Sequence, residues 1–211
     1  MIQRKRITGA TRPFYKKQKT TCGYRGRLAT SSYLPRAPLG EWKYLDTAIN
    51  VAIDTAGTLT LLNGLVPGTA ATQRIGMKVT LRSIECQVTI GGTAGTGVDQ
   101  VHRWGLIMDK QANGVGPTAL TDFLSTGTVW GLRNLANRKR FKLLLSKRRV
   151  INATGESGTK VDFKVYMKFR RPIIVEFNAG TAGTVADIVS GSIHLFTIGT
   201  AVAGATAGSL S

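Results

Sequence analysis

The most constraining feature of the sequence is a step in charge at Glu41, the first acidic residue of the chain. The forty residues before it contain ten basic side chains, whereas the remainder contains 19 basic and 11 acidic ones. A segment with this charge and few clustered apolar residues repels itself and has no core to form. We therefore predict a disordered basic arm over residues 1–40 and a folded domain over residues 41–211.

The arm and the formal net charge of +18 indicate an anionic partner, because a basic domain left alone is destabilised by self-repulsion. The arm also interleaves Phe14, Tyr15, Tyr24 and Tyr33 with its basic residues. This mixture is typical of single-stranded nucleic-acid binding, in which cations neutralise phosphates and rings stack on bases. The plainer interpretation is a solubilising tail. The arm residues that we assign to nucleic-acid binding are Arg4, Lys5, Arg6, Arg12, Lys16, Lys17, Lys19, Arg25 and Arg27.

Two basic groups in the arm, Arg4–Arg6 and Lys16–Lys19, match a bipartite nuclear-import signal, so host import receptors are expected partners. A membrane partner is disfavoured, because no apolar run approaches the roughly 20 residues of a membrane span. The basic residues 1–12 are not followed by the apolar stretch of a secretory signal. We therefore expect no membrane insertion. The isolated cysteines Cys22 and Cys86 make no disulfide framework and indicate a reducing cytosol or nucleus.

From residue 41 onward the sequence is a series of short apolar or alternating runs separated by Gly, Pro, Asn and Thr. Thr118–Leu124 is the best helix candidate, about two turns long with a Thr cap. The pattern predicts an all-β fold, a single jelly-roll sandwich of about eight antiparallel strands with one or two short helices. Periodicity alone leaves an immunoglobulin-like sandwich open, and the long connections favour the jelly-roll. The predicted strands are Trp42–Ile53, Thr58–Leu62, Lys78–Ile90, Arg103–Met108, Phe141–Ile151, Val161–Phe169, Ile173–Phe177 and Ser192–Ile198.

Two of these runs carry finer predictions. The alternation of Lys78–Ile90 changes register near Ser83, which indicates a β-bulge. Val161–Phe169 places odd-numbered apolar residues on one face and even-numbered polar ones, with Tyr166, on the other. Pro172 should close that strand, because it cannot donate a ladder hydrogen bond.

The sequence contains no constellation for catalysis, and we predict a non-enzymatic protein without a cofactor or metal. His102 and His194 lack metal-ligand spacing, and His194 lies in an apolar strand as a structural histidine would. No phosphate-binding Gly-Lys-Ser/Thr loop or Gly-x-Ser-x-Gly elbow is present. A calcium site between subunits is one interpretation of four acidic residues; turn capping and salt bridges to Arg are favoured over it. These residues are Asp46, Asp109, Asp122 and Asp187.

Three basic clusters lie within the folded domain. They could line an inner shell surface and meet a genome, pair with acidic residues of a neighbouring subunit, or form a solvated face. We choose Arg138, Lys139 and Arg140, beside Phe141, for nucleic-acid contact from the domain. The first cluster is Arg138, Lys139, Arg140 and Lys142, the second is Lys147, Arg148 and Arg149, and the third is Lys168, Arg170 and Arg171.

Several short blocks of sequence, taken in order, resemble the capsid proteins of small circular single-stranded DNA viruses. The blocks are Glu41–Thr47, Leu61–Gly64 with Pro67-Gly68, Gln73–Gly76 with Ser83-Ile84, Asp109–Gly114, Leu120–Asp122, Asn137–Phe141 and Phe177–Thr181. The resemblance implies a single jelly-roll with the basic arm inside a closed icosahedral shell of about sixty subunits. Satellite RNA viruses have similar coats, and DNA is favoured over RNA.

The chain departs from this family in one respect. Family members usually continue past the Gly-, Ala- and Thr-rich stretch of residues 200–209 into one more charged strand, whereas this sequence ends at Ser211. We therefore expect that the sequence is truncated, or that the last strand of the jelly-roll is absent or replaced; a jelly-roll without that strand would expose a sheet edge to pairing with another chain.

The function expected from these features is that of a viral capsid protein, found in the virion and in the host nucleus and cytoplasm. Its arm should bind a single-stranded genome with steep salt dependence and little sequence preference. The main alternative is a cellular nucleic-acid-binding module with a basic tail, of ribosomal or chromatin type. A viral movement or nuclear-shuttle protein is a weaker alternative.

Overall fold

A computed structural model describes residues 43–92, 98–152, 160–200 and 209–210 of the chain. Within these residues nine strands form two antiparallel sheets, and two short 3-10 helices, Leu120–Asp122 and Val185–Asp187, lie in the connections. No helix in the same ranges is long and apolar enough to cross a membrane. The strands are β1 (Val51–Ala52), β2 (Thr58–Leu61), β3 (Lys78–Gly91), β4 (Gln100–Asp109), β5 (Phe141–Ile151), β6 (Lys160–Phe177), β7 (Ile188–Ser190), β8 (Ser192–Gly199) and β9 (Ser209–Leu210).

The strand order confirms the predicted jelly-roll. One sheet has the order β1-β9-β3-β6-β7 and the other has the order β2-β8-β4-β5, with every pair antiparallel. The first strand therefore pairs with the last and the second with the last but one, as the two Greek keys of a jelly-roll require. The short β7 adds an edge to the five-stranded sheet.

The core between the sheets follows from the alternation in β6. Its odd-numbered residues Val161, Phe163, Val165 and Met167 pack against a buried cluster that includes Trp104, while the even-numbered residues are exposed. The rings of Trp104 and Phe163 meet edge to face with centroids 5.8 Å apart. This confirms the predicted faces of the Val161–Phe169 run.

The bulge predicted near Ser83 is also confirmed, but Pro172 does not end a strand. Ser83 pairs with Lys168, and Leu81 pairs with Ile173. The single residue Arg82 between them therefore lies opposite four residues of β6, 169–172. The extra residues bulge out and remove Pro172 from the ladder, which is why one continuous strand replaces the two that were predicted.

The long connection between β4 and β5, residues 110–140, forms a further layer on the outer face of the four-stranded sheet. Leu120, Phe123 and Leu124 from this connection pack against Phe196 and Ile107 of the sheet in a second buried cluster. Since the sandwich core covers the inner face, β4 is buried on both faces. We name this layer the covering loop.

Three sequence-based predictions need correction. Of the strand predicted over Trp42–Ile53, only Val51–Ala52 pairs; residues 43–50 have no regular structure and Trp42 lies outside the described residues. The predicted helix Thr118–Leu124 is a single 3-10 turn, and the Asp122 carboxylate, not a Thr side chain, accepts the amides of Thr118 and Ala119. The last strand is present as β9, which pairs with β1 and meets β3 at Ile90.

Candidate nucleic-acid interface

The residues predicted to bind nucleic acid fall into two groups. The nine arm residues from Arg4 to Arg27 lie outside the described residues, whereas Arg138, Lys139 and Arg140 form a turn directly before β5. The carbonyl of Asn137 accepts the amides of Arg140 and Phe141 at 3.0 Å each, which closes the turn. The Asn137 side chain donates to the carbonyl of Asp122 at 2.9 Å and so ties the turn to the first 3-10 helix.

The three residues of the turn have different surroundings. Arg138 and Lys139 are exposed, and their side chains have no ion-pair or hydrogen-bond partner within the described residues. Arg140 instead makes a two-pronged ion pair with Asp109: Nε lies 3.0 and 3.1 Å from the carboxylate oxygens, and Nη2 lies 2.7 Å from Oδ2. Asp109 is fully buried and also accepts the amide of Gln111 at 2.9 Å.

This ion pair makes Arg140 a structural residue of the covering loop. Its Nη2 also donates to the carbonyl of Val115 at 3.0 Å, and its guanidinium lies 4.8 Å from the centroid of the Phe141 ring. The hydrogen bonds that Arg140 donates to the Asp109 carboxylate raise the pKa of Arg140, against the effect of burial. Only Arg138 and Lys139 of the turn therefore offer unengaged charges to a polyanion.

A second arginine holds the other end of the covering loop. Arg103 of β4 is buried, and its Nη1 donates to the carbonyls of Val129, at 3.3 Å, and Gly131. Its Nε donates to the Ser146 hydroxyl at 3.0 Å. Burial, and secondarily the charge of Arg148, lowers the pKa of Arg103.

The outside of the covering loop carries an exposed aromatic ring among cations. The guanidinium of Arg148 stacks 4.2 Å from the centroid of Trp130, and Arg133 donates to the carbonyls of Arg138 and Phe141. We name Trp130, Arg133, Arg138, Lys139 and Arg148 together the loop patch. It joins part of the first basic cluster to part of the second, although the two are separate in sequence.

The third basic cluster lies on the opposite side of the sandwich, on the outer face of the five-stranded sheet. Lys168 is exposed on β6, and Arg170 and Arg171 follow it in the bulge. Tyr166, two residues before Lys168 on the same face, is 61% exposed. Sequence reasoning did not select Tyr166, although the Lys-x-Tyr-x-Lys spacing of residues 164–168 on a polar strand face signals it. We name Tyr166, Lys168, Arg170 and Arg171 the sheet patch.

The acidic residues considered for calcium have structural partners instead. Asp109 pairs with Arg140, Asp122 caps the first 3-10 helix, and Asp187 accepts the amide of Gly183 at 2.6 Å. Asp46 is exposed. Among the described residues, no three His, Cys, Asp or Glu side chains stand close enough to hold a metal ion. The favoured interpretation of capping and salt bridges is confirmed for Asp109, Asp122 and Asp187.

His194 is a structural histidine, as its strand predicted. It is buried beneath an open groove of 620 Å³ lined also by Leu59, Leu61 and Val115, and it shares a 3.1 Å hydrogen bond with the Ser192 hydroxyl. Burial lowers its pKa to about 4. The imidazole is therefore neutral near pH 7, with its Nε2 engaged by a neighbour on its own strand.

The fold defines the class of this molecule as a jelly-roll β-sandwich with strongly basic surfaces. No protein-family model matches the chain, and a search of curated proteins finds no relative.

Proposed function

We propose that this chain is a viral capsid protein that assembles into a small icosahedral shell and packages a single-stranded genome, DNA in preference to RNA. The observation that carries the proposal is the pairing of a jelly-roll domain with a forty-residue segment that has ten positive charges and no negative one. The ordered sequence blocks that resemble small DNA-virus capsids support the same function.

The charge distribution gives the proposal its physical mechanism. Sixty copies would bring about 600 positive charges from residues 1–40 into one particle, and these repel each other unless a polyanion neutralises them. A single-stranded genome supplies that charge and releases counterions on binding. Assembly and packaging would therefore be coupled, and both would weaken as salt rises.

Exposed apolar side chains are available to form contacts between subunits. Leu132 and Leu135 of the covering loop are 76% and 68% exposed, and Ile75 and Met77 are exposed before β3. Contacts of this kind close into a shell when they repeat by symmetry.

Nuclease protection tests the packaging step. The full chain, expressed with its nucleic acid, should sediment as a large particle whose nucleic acid resists nuclease. A variant with Arg4, Lys5, Arg6, Lys16 and Lys17 changed to Gln should fold normally and protect much less nucleic acid. A charge-preserving variant with the same lysines and arginines exchanged for each other is the matched control and should protect wild-type amounts.

The same assay distinguishes a capsid protein from a cellular nucleic-acid-binding module. A ribosomal or chromatin-type module would bind nucleic acid as a monomer or dimer and leave most of it open to nuclease. If the wild-type chain gives only such small complexes, the capsid proposal is wrong. The proposed sites of action are the virion and, through host import receptors, the nucleus.

A further inference from the structure

We propose that the sheet patch is the surface of the folded domain that contacts the single-stranded nucleic acid, with Tyr166 stacking on a base and Lys168, Arg170 and Arg171 contacting phosphates. This inference rests on the proposed function for its ligand. It places the contact on the side of the sandwich opposite to Arg138 and Lys139, which were chosen from sequence.

The first argument is that none of the described residues packs over this part of the five-stranded sheet. The covering loop packs over the outer face of the four-stranded sheet and buries β4 on both sides. On the five-stranded sheet, the even-numbered residues Lys164, Tyr166 and Lys168 remain exposed along one strand. Residues that alternate on one strand face recur about every 6.6 Å, so this face presents regularly spaced side chains.

The second argument is that the acidic residues of this face are already engaged. Glu85 pairs with Lys164 at 3.1 Å and Glu176 pairs with Lys78 at 2.9 Å. Asp162 accepts the hydroxyl of Thr89 at 2.6 Å. The hydrogen bond and charge of its lysine lower the pKa of each of the two glutamates. Lysines thus neutralise two of these three carboxylates; Asp162 keeps its negative charge, and the sheet patch itself carries only positive charges.

The third argument is that the basic side chains of the sheet patch have no other partner among the described residues. Lys168, Arg170 and Arg171 have no ion pair or hydrogen bond through their side chains in the part of the chain that the structure describes. The Tyr166 ring likewise makes no aromatic or cation–π contact there and is 61% exposed, so it is accessible to a base. Cations beside an open aromatic ring are what single-stranded nucleic acid requires, since stacking tolerates any base and phosphates require charge.

The loop patch is the competing surface and is less suited to stacking. The Arg148 guanidinium already lies against the Trp130 ring at 4.2 Å, and Arg133 donates to two carbonyls. A shell wall one domain thick turns only one of the two patches toward an enclosed genome. The geometry therefore favours the sheet patch as the inner surface.

Photo-crosslinking tests this choice directly. The full chain is bound to an oligothymidine that carries 5-iododeoxyuridine, irradiated, digested and mapped by mass spectrometry. We expect crosslinks at Tyr166 several-fold above those at Trp130, which is the matched control because it is 57% exposed and also surrounded by cations. Crosslinks at Trp130 that equal or exceed those at Tyr166, or crosslinks at neither residue, would overturn the inference.

Affinity measurements separate stacking from charge. Tyr166→Ser should weaken oligothymidine binding about fivefold or more, whereas Tyr166→Phe should stay within about twofold, because the ring alone stacks. Lys168→Gln should reduce the slope of log affinity against log salt by about 0.7, and Lys139→Gln, an exposed lysine of the loop patch, should leave it unchanged. Equal effects of Tyr166→Ser and Tyr166→Phe, or of the two lysine variants, would contradict the proposal.

The results can contradict this inference and the proposed function separately. If the chain forms no shells but crosslinks at Tyr166, the capsid proposal fails and the nucleic-acid contact stands. If shells with protected nucleic acid form while Tyr166 is not crosslinked, the capsid proposal stands and the sheet patch is not the contact surface.

Discussion

Replacing Arg140 by methionine should destabilise the folded domain more than any neighbouring charge removal. Asp109 is fully buried, and Arg140 supplies its only ionic partner within the described residues. Removing the guanidinium leaves a buried carboxylate with one hydrogen bond among the described residues, from the Gln111 amide. An uncompensated buried charge of this kind is among the costliest defects that a substitution can create.

The magnitude follows from the burial of the two partners. Removing one member of a buried pair costs about 3–5 kcal/mol. The Arg140 side chain is 39% exposed, so solvent already weakens the pair and about 2–3 kcal/mol is expected. For a domain of this size that corresponds to a fall in Tm of about 5–10 °C. Asp109→Asn should cost less, about 1 kcal/mol, because the half-exposed guanidinium that it leaves can be hydrated.

Urea unfolding of the purified, unassembled chain, followed by circular dichroism, measures these differences. Lys139→Met is the matched control, since it removes a charge from the same turn and should change the free energy of unfolding by less than about 0.5 kcal/mol. The double variant of Arg140→Met and Asp109→Asn should cost less than the sum of the single ones. The reasoning is refuted if Arg140→Met unfolds like Lys139→Met, or if Asp109→Asn costs more than Arg140→Met.

Three further predictions concern other parts of the chain. Arg103→Met should cost about 2 kcal/mol, because it leaves the buried carbonyls of Val129 and Gly131 unpaired; urea unfolding that matches the wild type would contradict this. Since burial lowers the pKa of His194 from 6.5 to about 4, the native state resists its protonation, and stability is present above pH 6.5 and lost as pH falls toward 4. The loss attributable to His194 reaches about 3 kcal/mol at most, so pH-dependent unfolding should be flatter in His194→Asn, and an unchanged profile would argue against the assignment. Deleting residues 1–40 should preserve the β circular-dichroism spectrum and abolish nucleic-acid packaging; wild-type packaging by the deleted chain would show that the arm is not the binding segment.

Structural features that depend only on residues close together in the sequence were predictable. The alternation of Val161–Phe169 specifies which face of β6 is buried, and the register change near Ser83 locates the bulge. The bounds of β5 match the predicted Phe141–Ile151, because polar residues flank its apolar run on both sides. Local periodicity is a direct consequence of side-chain geometry on a strand, so it can be read without the rest of the fold.

Features that depend on distant partners were not predictable. Residues 43–50 have an apolar pattern suited to a strand, but a strand also needs a neighbour, and β1 pairs with β9 over two residues. β4 shows no clean alternation, because the covering loop buries the face that would otherwise meet water. Arg140 was chosen for nucleic-acid contact on the charge of its turn, whereas its partner Asp109 is 31 residues earlier in the chain. No spacing rule joins two residues that far apart.

The central claim is that this chain closes into shells around nucleic acid, and negative-stain electron microscopy at low and high salt tests it most directly. The absorbance ratio at two ultraviolet wavelengths, one for nucleic acid and one for protein, should accompany the images. We predict uniform closed particles about 20 nm across at low salt, as sixty symmetric copies would form, with an absorbance ratio that indicates packaged nucleic acid. A dispersed monomer or dimer that binds nucleic acid without forming particles at any salt concentration would contradict the account and favour a cellular binding module.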